Sequence, residues 1–360
     1  MSELPSPEQI LNVLTSILEP QEKKSLVDLN KIRDVVVKPS GVVSFSLVNP
    51  SSSYRDALIE QCKSAIKTLP AVKDVWVKVI TETPAIAKDS ATSVGTGVGI
   101  EGVKHILAVS SGKGGVGKTS VAVNLAVTLA EMGAKVGILD ADIYGPNVPV
   151  MLGMDAAQIQ VTKNAEGLDI VEPAFNHGVK MISMAFLIEK DQPVMWRGPM
   201  LNGVIRQFLY QANWGTLDYL IVDMPPGTGD AQLTLTQSVP IAGAIIVTTP
   251  QTVSLLDSRK GLKMFQSLNV RVLGIVENMS YFIPPDMPDK QYDIFGSGGG
   301  AKTAAELDLP LLGCVPLEIG LREGGDRGIP ITLSHPESAS AKALKAIAQA
   351  IALKVSTSEA

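Results

Sequence analysis

One run of small and cationic residues holds the side chains best suited to chemistry in this 360-residue chain: Ser110-Ser111-Gly112-Lys113-Gly114-Gly115-Val116-Gly117-Lys118-Thr119-Ser120. Gly112, four intervening residues and then Gly117-Lys118-Thr119 match the phosphate loop of nucleotide triphosphatases. The apolar run 106–109 precedes it and a helical pattern over 121–132 follows, the strand–loop–helix context that the motif needs. Glycines let successive backbone N–H groups converge on phosphate oxygens, and the helix adds its positive N-terminal end. Lys118 is expected to face the β- and γ-phosphates of ATP, and Thr119 to offer its hydroxyl to Mg²⁺. The nucleotide-binding set is thus Gly112, Lys113, Gly114, Gly115, Val116, Gly117, Lys118, Thr119 and Ser120.

Two acidic clusters follow later strand candidates, where a doubly wound sheet places its ligand. After 136–139 come Asp140, Ala141 and Asp142; after 219–222 come Asp223, two prolines, Gly227 and Asp230. Mg²⁺ takes hard oxygen ligands, so Asp223, Asp142 and Thr119 form the expected metal set. Asp142 is also placed to orient the attacking water, with Asp140 as support or as a helix cap. Gly227 is placed to present its N–H to the γ-phosphate. Asn278, after the strand candidate 271–276, suits the edge of adenine or a turn. Pro316 suits the face of the ring.

The rest of the chain must position these groups. From 101 to 355 it alternates strand candidates (106–109, 136–139, 219–222, 244–248, 271–276, 311–315) with helical patterns (121–132, 201–213, 253–267, 302–307, 337–353). Continuous apolar strands between helices predict a doubly wound, mainly parallel sheet covered on both faces. Residues 1–82 read as a small α+β domain: a helix at 7–18, a hairpin from 35–38 to 42–48 turning at Ser40-Gly41, a helix at 54–68 and a strand at 75–80. The stretch 83–100, small, polar and Gly-rich, reads as a flexible linker.

Net charge is −5, so general attraction to nucleic acid is not expected. No apolar stretch reaches membrane-spanning length and the N-terminus carries no signal pattern, so a cytoplasmic protein is expected, without nucleic-acid or membrane partners. The only cysteines, Cys62 and Cys314, do not make a disulfide framework.

Lys113 at the head of the loop resembles the deviant phosphate loop of the MinD, ParA, nitrogenase iron protein and arsenite-pump ATPases. That resemblance implies a nucleotide-dependent homodimer, in which Lys113 reaches the partner's nucleotide and joins Lys118 and Asp142 as a catalytic residue. It also supports Asn278 and Pro316 at adenine. The phrases SSGKGGVGKTSVAVNLA (110–126), LDADIYGPNVPVMLG (139–153), MWRGPM (195–200), DYLIVDMPPGTGDAQLTL (218–235), GIVENMSYF (274–282) and DIFGSGGG (293–300) are similar to the Mrp/ApbC/Nbp35 group of iron–sulfur cluster carrier ATPases. Residues 1–82 resemble the MIP18-type domain often fused ahead of it. The group implies slow ATP hydrolysis, an iron–sulfur cluster and apo-protein clients. The chain departs from the group's Cys-x-x-Cys, placing Pro284 and Met287 there, and Ser51-Ser52-Ser53 stand where many relatives carry a cysteine. Proline offers iron no ligand atom and a thioether is a poor one. The cluster ligands stay unassigned: Cys314 is the candidate thiolate, with core packing as its alternative. An ATP-gated scaffold without its own cluster, and a MinD/ParA-like positioning factor, are the other readings.

Overall fold

The computed structural model describes residues 5–20, 23–29, 31–38, 41–48, 55–80, 98–143, 145–158, 160–163, 169–187, 198–287 and 289–357. Most of the expected linker, Ser40, the serines at 51–53, Tyr144 and 195–197 lie outside them. The chain divides into two compact units, within 1–92 and within 93–360.

The first unit opens with α1 (Pro7–Leu14). Ser6 caps it: Gln9 N donates to Ser6 Oγ and Ser6 N to Gln9 Oε1, a reciprocal box that satisfies two orphan donors. The helix is shorter than 7–18 because the chain turns after Thr15, although Ile17 stays in the core. Then come β1 (Ile32–Val37), β2 (Val42–Val48), α2 (Arg55–Lys67) and β3 (Asp74–Ile80). β1 and β2 pair antiparallel, and β3 adds parallel to β2. Ile10, Leu14, Phe45, Leu58, Cys62 and Ile66 pack between helices and sheet.

The second unit runs β4 (Val103–Ser111), α3 (Lys118–Glu131), β5 (Val136–Asp140), α4 (Val148–Met151), β6 (Gln160–Lys163), β7 (Asp169–Glu172), β8 (Ala174–Asn176), β9 (Val179–Ser183), α5 (Gly198–Tyr210) and β10 (Leu217–Asp223). It continues with α6 (Asp230–Ser238), β11 (Ile241–Thr248), α7 (Thr252–Ser267), β12 (Val272–Phe282), α8 (Gly299–Glu306), β13 (Leu311–Leu317), α9 (Ile319–Arg327), α10 (Ile331–Ser334) and α11 (Ala339–Ser356). Its large sheet has the order β13-β12-β11-β4-β10-β5-β9-β8. All its pairs are parallel except β8 with β9. This is the doubly wound, mainly parallel sheet that the alternation predicts.

Strand side chains alternate between faces, so β4 feeds two cores. Leu107 and Val109 join α3 and α11 on one side; Ile106 and Ala108 join Phe208, Trp214 and Phe265 on the other. α3 is buried almost all round, from Val121 to Leu129, which fixes Lys118 and Thr119 at its N-terminus. Only β4 lies between β10 and β11, so the phosphate loop emerges at the centre of the sheet.

Candidate nucleotide and metal site

The chain climbs β4 and turns through Gly112–Gly117 into α3. Two glycines here are sterically required. A Cβ on Gly112 would stand 2.1 Å from the Asp257 backbone of α7. Gly117 has φ +78°, and its Cβ would stand 2.1 Å from Asn278 Nδ2. At Gly114 and Gly115 an added Cβ would meet nothing within 4 Å, so these residues face open space. The space is a cleft of about 370 Å³, lined among others by Lys113, Lys118, Thr119, Asp142, Asn147 and Pro226. Its size suits a small-molecule ligand.

The two acidic strand ends arrive where the topology puts them. Asp140 and Asp223 are direct neighbours in the parallel register of β5 and β10. Lys118 Nζ donates to Asp223 Oδ1 at 2.7 Å and lies 3.5 Å from Asp142 Oδ2. Thr119 Oγ1 donates to Asp223 Oδ2 at 2.7 Å. Lysine, threonine and both aspartates therefore form one group, although more than a hundred residues separate Lys118 from Asp223. Burial pushes Asp223 above the ordinary carboxylate range, and Lys118 and Thr119 pull against it.

Asp140 plays a different part. It is fully buried, and its carboxylate accepts from Asp142 N at 3.2 Å, Val148 N at 3.2 Å and Ser183 Oγ at 2.8 Å. It thus holds the turn that carries Asp142 and the start of α4. Burial, then the charge of Asp223, raise its pKa, while Ser183 and Lys118 oppose the rise.

Other expected groups sit less simply. Lys113 Nζ reaches Gln251 Oε1 at 3.5 Å within the same chain. Gly227 N donates to Ser111 O at 3.0 Å. Asn278 is buried beneath the loop, its Nδ2 donating to Val116 O at 2.8 Å and its Oδ1 without a partner among the described residues. Pro316 is buried in β13, and its carbonyl accepts from Ser340 Oγ. Neither Asn278 nor Pro316 lines the cleft.

The donor set fits Mg²⁺ and a triphosphate: hard oxygens from Thr119, Asp142 and Asp223, a lysine between them, and unobstructed backbone at Gly114 and Gly115. The two cysteines lie in separate compact units. Burial pushes the Cys62 thiol up to about 12. The Cys314 thiol is raised by burial and by Glu277, whose Oε1 lies 3.9 Å from Sγ, although Ser280 pulls the other way. Among the described residues no three of His, Cys, Asp and Glu gather as a metal-binding group.

The pattern gave no sign of Glu277. It is 2% exposed on β12 and accepts from Ser280 Oγ at 2.9 Å and from Gly300 N at the start of α8. The segment between, which contains Pro284 and Met287, is also pinned where Phe282 and Tyr292 bridge. Carboxylates at helix N-termini are common, but nothing in the local sequence marks this one.

Comparison with known proteins identifies the family. The family model described as "NUBPL iron-transfer P-loop NTPase" matches residues 102–352, and one described as "Iron-sulfur cluster assembly protein" matches 7–79. A Synechocystis iron-sulfur cluster carrier protein is 66% identical over 350 residues, covering 96% of this chain and 97% of the relative. The protein of that name from Escherichia coli K12 is 43% identical, covering 94% and 90%. Among solved structures, a nucleotide-binding protein from Archaeoglobus fulgidus in complex with ADP is 36% identical with a TM-score of 0.57, covering 66% of this chain and 91% of its own. The Pyrococcus horikoshii septum site-determining protein MinD, with Mg-ADP, shares the fold at 24% identity and a TM-score of 0.51, covering 69% and 96%. No helix among the described residues is long and apolar enough to cross a membrane. The chain belongs to the NUBPL iron-transfer family of P-loop NTPases.

Proposed function

We propose that the protein binds and slowly hydrolyses Mg-ATP as a nucleotide-dependent homodimer in the cytoplasm, and uses this cycle to carry iron–sulfur clusters to apo-proteins. The observation that carries the reading is the convergence of Lys118, Thr119, Asp142 and Asp223 at the head of α3. The backbone from Gly112 to Ser120 cradles the phosphates, and Lys118 turns from Asp223 to the β- and γ-phosphates. Thr119, Asp223 and Asp142 hold Mg²⁺, which neutralises charge on the phosphate oxygens. Asp142, fixed by Asp140, orients a water in line with the γ-phosphorus. The water oxygen bonds to phosphorus, the bond to the β–γ bridging oxygen breaks, ADP leaves with that electron pair, and the water's protons go to the released phosphate and from it to solvent. Gly227 N–H exchanges Ser111 O for the γ-phosphate, so the turn after β10 reports hydrolysis. Asn278 and Pro316 serve adenine once the base displaces their present contacts. Lys113 leaves Gln251 for the partner's nucleotide. Exposed Val253 and Leu256 on α7, close to the loop, suit a face that a second copy covers.

Phosphate release by the purified protein and by Lys118→Ala tests the site. Equal rates in both reject it.

The cysteines favour a second reading, an ATP-gated scaffold with no cluster of its own. Pro284 and Met287 supply no thiolate, and Cys62 and Cys314 belong to different compact units. Anaerobic reconstitution with iron and sulfide separates the two. A stable chromophore that passes to an apo-protein rejects the scaffold; colourless protein that still hydrolyses ATP rejects the carrier.

A further inference from the structure

Gln232 lies on α6, just after the turn 224–229, and is 1% exposed. Its Nε2 donates to Ser110 Oγ at 3.2 Å and to Pro225 O. Its Oε1 is buried and meets no donor among the described residues. Ser110 immediately precedes Ser111, whose carbonyl accepts from Gly227 N at 3.0 Å and whose hydroxyl donates to Lys113 O at 2.9 Å. One side-chain amide therefore spans the strand that delivers the phosphate loop and the turn that carries Gly227.

An apolar side chain of the same length would remove the unpaired Oε1 but leave the buried Pro225 carbonyl without this donor. What glutamine adds is the pair of donors, and both are spent on the segments that must stay in register around a γ-phosphate. Nothing else among the described side chains bonds both Ser110 and Pro225.

We propose that Gln232 is a positioning residue for hydrolysis, tying the turn at Pro225 to the head of the phosphate loop so that Gly227 meets the γ-phosphate at a fixed place. The role rests on the ATPase reading above. Gln232 acts through Pro225 and Ser110 and touches no reacting atom. Ground-state binding of ADP, which lacks the γ-phosphate, does not depend on it.

Gln232→Met keeps the length and removes the donors. The full-length variant and wild type are compared by calorimetry with Mg-ADP, by kcat and KM for phosphate release, and by amide exchange at Gly227 with Mg-ADP and with a non-hydrolysable Mg-ATP analogue. We expect Mg-ADP affinity within about threefold of wild type and kcat lowered about tenfold or more, since small misplacements are expensive in catalysis. The exchange difference between the two nucleotide states should also collapse. Ser110→Ala removes only one acceptor; it should show a smaller loss of the same kind, and it carries the test if Gln232→Met does not fold. Wild-type kcat in the variant tested overturns the proposal. So does a fall in kcat matched by equal falls in Mg-ADP affinity and thermal stability. If the wild-type protein binds Mg-ATP but never hydrolyses it, the ATPase reading fails, and this role with it.

Discussion

Lys118→Met is the sharpest single perturbation of the site, because it keeps the reach of the side chain and deletes its charge. Lys118 is 6% exposed, and its Nζ lies 2.7 Å from Asp223 and 3.5 Å from Asp142. Removing one partner of a buried pair costs about 3–5 kcal/mol when the other charge is left stranded. Here the stranded group has an escape, since Asp223 can take up a proton. For a carboxylate of ordinary pKa, protonation at neutral pH costs about 4 kcal/mol, at 1.36 kcal/mol per unit. Burial already raises Asp223, so its cost is lower, and about 4 kcal/mol is the ceiling on the loss of stability. The same arithmetic removes about 1.4 kcal/mol for each unit of acidification, so the loss should shrink as the pH falls toward 5. Urea unfolding of both proteins without nucleotide, at neutral pH and near pH 5, reads this directly. With Mg-ATP, the missing charge-assisted bonds should cost about 1.5–3 kcal/mol, a ten- to hundredfold loss of affinity. A variant as stable as wild type at neutral pH, or one whose deficit does not shrink in acid, refutes the assignment of Lys118 as the buried counter-ion of Asp223.

Asp140→Asn should stabilise the protein at neutral pH and flatten its dependence on pH. Asp140 and Asp223 both have folded pKa values above the ordinary one, so between about pH 4 and those values the native state holds protons that the unfolded chain has lost. Their contribution to stability therefore falls as pH rises through that window, and thermal melts of wild type and variant across it should converge at the acid end. Thr119→Val removes the hydroxyl bonded to Asp223 and should abolish most of the gain in nucleotide affinity on adding Mg²⁺, while metal-free binding changes little; titrations with and without chelator decide this. Gly117→Ala imposes a left-handed alanine, about 1–2 kcal/mol, and drives a methyl into the Asn278 amide, so its melting temperature should fall clearly. Gly114→Ala, with open space at its Cβ, should melt like wild type.

Much of the phosphate-loop half was legible because its signals are local. The phosphate loop carries its own glycines, and an aspartate directly after an apolar strand lies at the ligand-binding edge of any sheet of this class. The topology then had to bring Asp223 onto Lys118. The stretch from 143 to 200 was not legible. There β9 joins the large sheet with Lys180 as its second residue, and β8 pairs with it antiparallel through a tight turn in which His177 and Gly178 both have positive φ. Neither strand is apolar enough to stand out. Gln232 and Glu277 were invisible for another reason. A buried polar side chain gains its meaning from partners distant in sequence, and periodicity carries no information about those. Asn278 shows the same limit: its place after a strand was readable, but the turn of its amide under Val116 was not.

Glu277 gives the protein a modular periphery. The excursion that leaves β12 at Phe282 returns to the same carboxylate at Gly300, and the Phe282–Tyr292 bridge closes its neck. The described residues beyond that neck, Pro284 and Met287 among them, pair with no strand of the large sheet, so substitutions there leave its hydrogen-bond ladder intact.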